Sequence, residues 1–275
     1  MDLSEEKQLL RMLDYLGRYC TEIDAAEPHH KNVDVNTLPI WQFWERDVAE
    51  APALIKRCFE SVERHCGGRP IGTVTPNTYR AAGIELPDYI VEKANQGAIP
   101  SSHFADILNM CLLEKYGGTW VDATVFLSGP IPQAILDEPF FAFRTSTDNV
   151  FSARTLFSNW FIHAQPNHVF IRNLKQALFS YWKRENTLIN YFLLHYLSYR
   201  TILPHPTLAA IWMRCSHYSN SLSQTLNGAI NGSFNKADWG QLKNEMPIHK
   251  LSLKHPEPAE GSYLQALLDS EADFL

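Results

Sequence analysis

HFADILNMCLLEKYGGTWVDATVF, residues His103 to Phe126, sets one acidic side chain on a helix and a second on the strand that follows. Phe104, Ile107, Leu108, Cys111 and Leu112 recur at the helical period and make one apolar stripe. Asp106 lies off that stripe, beside Asn109, Met110 and Leu113 at helical spacing, on a face apolar enough to be buried or to line a cleft. Ser101 and Ser102 supply an N-cap, and Gly117-Gly118 ends the helix with a residue that can take positive φ. Thr119 to Phe126 then reads as one short strand bounded by Ser128-Gly129-Pro130. Its period of two puts Trp120, Asp122, Thr124 and Phe126 on one face, so the Asp122 carboxylate and the Thr124 hydroxyl are expected to project together. An aspartate inside an apolar strand opposes strand propensity, and such conflicts mark sites more often than accidents.

These residues by themselves leave two readings open. In one, Asp106 and Asp122 face a common pocket. In the other, Asp122 caps a turn and Asp106 pairs with a Lys or Arg elsewhere, because a buried carboxylate needs a partner.

With its Tyr116-Gly117-Gly118-Thr119-Trp120-Val121-Asp122-Ala123-Thr124 run, the segment resembles the sugar-binding region of glycosyltransferase family 32 and, more closely, the capsular polysaccharide synthesis protein family. Leu38-Pro39-Ile40-Trp41-Gln42-Phe43-Trp44 resembles the first strand of that family, and Pro247-Ile248-His249-Lys250-Leu251 its C-terminal motif. The resemblance runs over roughly residues 38 to 255. It implies a GT-A-like α/β fold, a Rossmann-type, mainly parallel sheet flanked by helices. It also implies sugar transfer, with retention of configuration, from a nucleotide-diphosphate donor, first of all a UDP-sugar, to a glycan or lipid-linked glycan acceptor. Two positions depart from the pattern. The Asp-x-Asp of the wider family is here Asp122-Ala123-Thr124, and Asn109 stands where many relatives carry Arg.

Glycosyl transfer from a nucleoside diphosphate leaves negative charge on the β-phosphate and positive charge on the anomeric carbon, so the site must neutralise the first and tolerate the second. A hard divalent ion, Mn2+ or Mg2+, can do the first, held by carboxylate and phosphate oxygens, with Mn2+ also accepting imidazole. The resemblance makes Asp122 and His249 the expected metal ligands, with Asp106 and Asp122 the catalytic acids. His249 and Lys250 are adjacent and point to opposite sides of an extended segment, so Lys250 can reach the diphosphate as a point charge. Taken without the resemblance, the pair reads as surface His-Lys. Trp44 can stack on a uracil or guanine; Trp41 faces the other way, into the core. Gln42, Asp106, Asn109 and Thr124 complete the expected donor contacts. Asn159, Trp160 and His163 are the expected acceptor contacts, with a start of a helix carrying core aromatics as the plain alternative. His195, on an apolar helix, reads as a core histidine.

Bulk properties narrow the function classes. A chain of 275 residues with 45% hydrophobic content can bury a large core. A net charge of -6 and a pI near 6.0 argue against a nucleic-acid partner. Five cysteines, odd in number and widely spaced, indicate neither a disulfide framework nor a zinc ribbon, so a cytoplasmic setting is expected. The MDLSEEK start lacks the order of a signal peptide, and no run reaches the ~18 apolar residues of a membrane span. If the product is a surface polysaccharide, the protein acts before export, at most peripherally at the inner membrane.

Along the chain, residues 1–37 read as an accessory helix (5 to 22) and a polar linker, and 38–275 as the transferase domain, divided into a nucleotide-sugar half (38–139) and an acceptor half (140–275). Strand, helix from Pro52, strand at Ile71 to Thr75 and helix at Pro87 to Lys93 precede the central motif, and this alternation predicts ligand binding at the carboxyl ends of parallel strands. Phe140 to Phe143 reads as a strand, and Asn167 to Trp182, Leu188 to Tyr199 and Pro206 to Cys215 read as helices. Two other classes stay open. One is a non-catalytic carbohydrate-binding relative; the other is a glycoside hydrolase using Asp106 and Asp122.

Overall fold

Ile40–Phe43, the strand β1, is buried at every position because both of its faces are covered. A computed structural model of the chain describes residues 3–26, 33–145, 154–216, 218–255 and 257–269, so part of the expected linker (27–32) lies outside the described residues. The other strands are β2 (Ile71–Val74), β3 (Gly118–Val121), β4 (Val125–Leu127), β5 (Phe140–Arg144), β6 (Phe157–Ala164) and β7 (Ile248–Lys250). Five of them make one sheet in the order β2-β1-β3-β6-β5, while β4 and β7 pair apart from it. Strands β2, β1 and β3 are parallel, and β6 runs against both β3 and β5. Four of the five strands therefore share one direction, the mainly parallel α/β sheet that the sequence predicts.

Strand alternation sends residues to two separate cores. Trp41, Phe43, Trp120 and Ile162 join a cluster on one face, with Ile107, Leu108 and Leu112 of α4 (Ser101–Tyr116) and Leu174 and Leu178 of α6 (Val169–Arg184). Ile40, Val121, Phe141 and Phe161 join a cluster on the other face, with Val62 of α2 (Ala53–His65). Leu9, Leu13 and Leu16 of α1 (Leu3–Gly17) pack into the first of these cores, and the helix ends several residues short of the predicted position. The helix predicted at Pro87 to Lys93 is α3 (Asp88–Asn95), α5 is the short Gln133–Leu136, and the helix predicted from Leu188 starts later, as α7 (Leu193–Ile202).

The Gly-Gly pair has a steric cause. Gly118 has φ +104, and a Cβ there would lie 2.1 Å from the Pro39 carbonyl oxygen. The absence of a side chain lets β3 enter beside β1, where Thr119 N donates to Pro39 O at 2.9 Å. Trp41 locks the same junction by donating from Nε1 to Gly117 O at 3.0 Å. Pro100 rather than a serine precedes α4, and no side chain caps that end. No helix among the described residues is long and apolar enough to cross a membrane.

Candidate active site

The strand predicted from Thr119 to Phe126 is broken in two, and the break makes the site. β3 ends at Val121; Val125 N then donates to Asp122 O at 2.9 Å in a tight turn, and β4 goes on to pair with β7 in the second sheet. Trp120 and Phe126 accordingly belong to different cores instead of one face. Asp122 and Thr124 still project together, for a reason strand period does not supply. Lys250 Nζ donates to Asp122 Oδ2 at 2.8 Å and to Thr124 Oγ1 at 2.6 Å. Asp122 Oδ1 accepts from Trp120 Nε1 at 3.2 Å, and Asp122 N donates to Trp160 O at 2.9 Å.

Asp106 projects from the second turn of α4 into the same cleft. Its Oδ1 accepts from Asn159 Nδ2 at 2.7 Å, while His103 Nδ1 lies 3.8 Å from Oδ2, too far for a hydrogen bond. Burial pushes the Asp106 carboxyl up to about 8, and the nearby Asp122 charge adds to the rise. Burial likewise holds His103 down to about 4, so the ring is neutral and cannot serve as a counter-ion. The partner of this acid is thus an amide, not the Lys or Arg of the alternative reading.

Two clefts meet at this point. The first is bordered by Trp44 and Glu45 from the exit of β1, by Ser101 and Ser102 from the start of α4, and by Asp106 and Thr124. The second is bordered by Thr145, Thr155, Ser158 and Trp160, by Gln224, and by Lys250. Asp122, Asn159, Tyr191 and His195 line both. The carboxyl ends of β1 and β3 converge here, as the parallel-sheet rule requires.

Residues 4–267 match the family model described as capsular polysaccharide synthesis protein. The chain belongs to that family. No curated protein matches it. One solved structure similar to it, titled PaToxG glycosyltransferase, is 12% identical with a TM-score of 0.43, over 96% of this chain and 92% of that one.

In this member of the family, several residues expected at the site lie elsewhere. Gln42 is 0% exposed within β1 and does not border either cleft. Asn109 is also 0% exposed; its Nδ2 approaches the Asn159 backbone oxygen at 3.5 Å, so it sits behind the cleft wall. His163, 0% exposed, lies in the sheet interior, where its Nδ1 meets the Thr119 hydroxyl at 2.9 Å and that hydroxyl accepts from Arg69 at 2.8 Å. It is core, not an acceptor contact. Burial and the Arg69 charge hold it down to about 3. Trp160 does border the second cleft, mostly buried, with its ring stacked on Phe143 at 4.8 Å.

His249 is the largest correction. It is 1% exposed, its Nε2 lies 2.8 Å from Ser128 Oγ, and its ring packs against Phe126 and Trp239. β7 alternates its faces, so the register that aims Lys250 at Asp122 buries His249 on the opposite side. Without His249, Asp122 offers Mn2+ or Mg2+ a carboxylate that already carries an ammonium on one oxygen and an indole N–H on the other, with Asp106 and Glu45 the other carboxylates bordering the same cleft. Among the described residues, no three His, Cys, Asp or Glu side chains group as a metal site. These residues do not fit a divalent ion held by Asp122 and His249.

Sequence reasoning missed Tyr191 and took His195 for core. Tyr191 is 67% exposed over the cleft junction and stands edge-on to His103, and His195 lines both clefts with burial holding it down to about 4. A large exposed aromatic just before a helix is the one local signal that could have found Tyr191. His195 carried none.

Proposed function

We propose that this protein is a glycosyltransferase that moves a sugar, with retention of configuration, from a nucleotide-diphosphate donor to a growing capsular-type glycan before export. The observation that carries this reading is the pair of clefts joined at Asp122 and Asn159. A bisubstrate transfer needs two binding clefts with the reacting atoms at their junction. The first cleft takes the donor. Trp44 offers its ring to the base, the start of α4 presents backbone N–H groups to phosphate, and Asp106 with Asn159 meets sugar hydroxyls. The second cleft takes the acceptor, its hydroxyl-bearing side chains facing sugar hydroxyls and Tyr191 offering a ring to a sugar face.

The acceptor oxygen bonds to the anomeric carbon from the side on which the diphosphate departs. The electron pair of the broken C–O bond goes to the β-phosphate oxygen, and the acceptor proton follows it. Asp122 faces the positive anomeric carbon, and Lys250 the leaving phosphate. A panel of nucleotide sugars, read by thermal stabilisation and then by transfer to capsular oligosaccharides, tests the proposal. Stabilisation and transfer by one donor are expected; loss of sugar from an oligosaccharide without any nucleotide would make the protein a hydrolase instead. Retention is read from the NMR coupling of the new anomeric proton, and an inverted product overturns that part.

A further inference from the structure

Lys250 meets Asp122, the acid expected to hold the metal ion. It is fixed by backbone as well as side chain. β7 pairs Lys250 with Val125, and Leu251 N donates to Thr124 O at 2.9 Å, so the ammonium is carried to the Asp122–Thr124 turn by sheet register. Asp122 and Thr124 take two of its three N–H donors, which leaves one for an incoming oxygen. The residue at 124 sets the charge balance. A second carboxylate at this turn would leave one negative charge in excess of the Lys250 ammonium, whereas Asp122 with Thr124 is matched by that single ammonium. Lys250 borders the second cleft, and its ammonium is bonded to Asp122, which borders both, and to Thr124, which borders the first.

Resting on the transfer reading above, we infer that Lys250 takes the place of a divalent ion, and that nucleoside diphosphate binding and sugar transfer proceed without added metal. When the diphosphate arrives, the free N–H of Lys250 donates to a β-phosphate oxygen. As the bond from that phosphate to the anomeric carbon breaks, the ammonium stays paired with Asp122 on one side and the charged leaving group on the other. Nothing is oxidised or reduced, and the acceptor proton leaves with the phosphate.

Calorimetric titration of UDP and of GDP into the full chain, in excess EDTA and again in excess MnCl2, tests this. One nucleotide is expected to bind with affinities that agree within about twofold in the two buffers. Lys250→Met keeps the aliphatic stem but not the charge, and is expected to weaken that binding at least about tenfold in both buffers. Thr124→Asp, which adds the second carboxylate, is expected to make binding depend on Mn2+. Wild-type binding only in MnCl2 overturns the inference, whatever the variants do. So does a folded Lys250→Met protein that binds like wild type or is rescued by Mn2+. Failure of both nucleotides to bind in both buffers instead removes the transfer reading and this inference with it.

Discussion

Lys250 Nζ lies 2.8 Å from Asp122 Oδ2, although 128 positions separate the two residues in the chain. The C-terminal motif thereby meets the central motif, and the residue that makes contact is the lysine, not its histidine neighbour. Either residue could have been the one, since strand geometry allows only one of two adjacent side chains to face the turn.

Asp122→Asn keeps the shape of the turn but removes the charge that faces Lys250 and the anomeric carbon. Turnover is expected to fall about 100-fold or more. The side chain is 37% exposed, so the melting temperature is expected to hold. Radiolabelled sugar transfer and a thermal melt measure the two effects, and wild-type turnover in a folded variant would remove Asp122 from the chemistry.

Trp44 sits at the end of β1, packed beside Ala51, Ile55 and Phe59 and open to the first cleft. Trp44→Ala is expected to weaken nucleotide binding by the ~1–3 kcal/mol of a lost base stack, about fivefold to 150-fold in Kd. Trp44→Phe should keep most of the affinity. Equal affinity in the wild type and the alanine variant would move the base elsewhere.

Tyr191→Ala removes an exposed ring at the rim shared by the clefts. A lost sugar-ring contact is expected to raise the acceptor KM several-fold, about the 0.5–1.5 kcal/mol of an aromatic pair, while donor Kd stays within about twofold. Donor titration beside acceptor kinetics separates the outcomes; a change confined to the donor would reverse the assignment of the two clefts.

Asp106 binds its proton more tightly in the folded chain than in the unfolded one, since burial lifts it from 3.8 to about 8. Its protonated form therefore favours the fold. That contribution is whole below pH about 4 and is lost as pH rises through about 8. Relative to Asp106→Asn, which cannot ionise, the wild type is expected to lose stability from pH 4 toward pH 8. Urea melts of both proteins across that range decide it, and parallel curves would place Asp106 in solvent.

His249 behaves with the opposite sign. Burial holds it down to about 3 from 6.5, so the unfolded chain takes up a proton below pH 6.5 that the folded chain refuses until pH about 3. Its share of stability is present above pH 6.5 and fades as pH falls, by about 1.4 kcal/mol per pH unit within that window. His249→Gln is expected to be less stable at pH 7 but to show a shallower acid slope, with nucleotide affinity unchanged once folded. Loss of affinity in a folded His249→Gln protein would put the imidazole in the site after all.

Much of the fold was legible from local pattern. Phe104, Ile107, Leu108 and Leu112 announce α4 by period, and alternation of strands with helices announces a mainly parallel sheet, because these patterns are how each element covers its apolar face. The acids Asp106 and Asp122 were legible as misfits among apolar neighbours. Gln42, Asn109, His163 and His249 are enclosed where the sequence predicts contacts, for a common cause: each is a polar side chain inside an apolar run, as Asp122 is, and the run itself does not say whether the polar group opens to a cleft or is enclosed by the core.

The order of residues, by itself, determined the helix that carries Asp106, the glycine pair that lets β3 close on Pro39, and the presence of a lysine and a histidine side by side near the C-terminus. Only the tertiary structure decided that the strand after Val121 breaks, that Lys250 rather than His249 faces Asp122, and that Tyr191 and His195 complete the rim. Period and propensity act between near neighbours, whereas register between β4 and β7 and burial among the aromatic cores depend on which distant segments pack together.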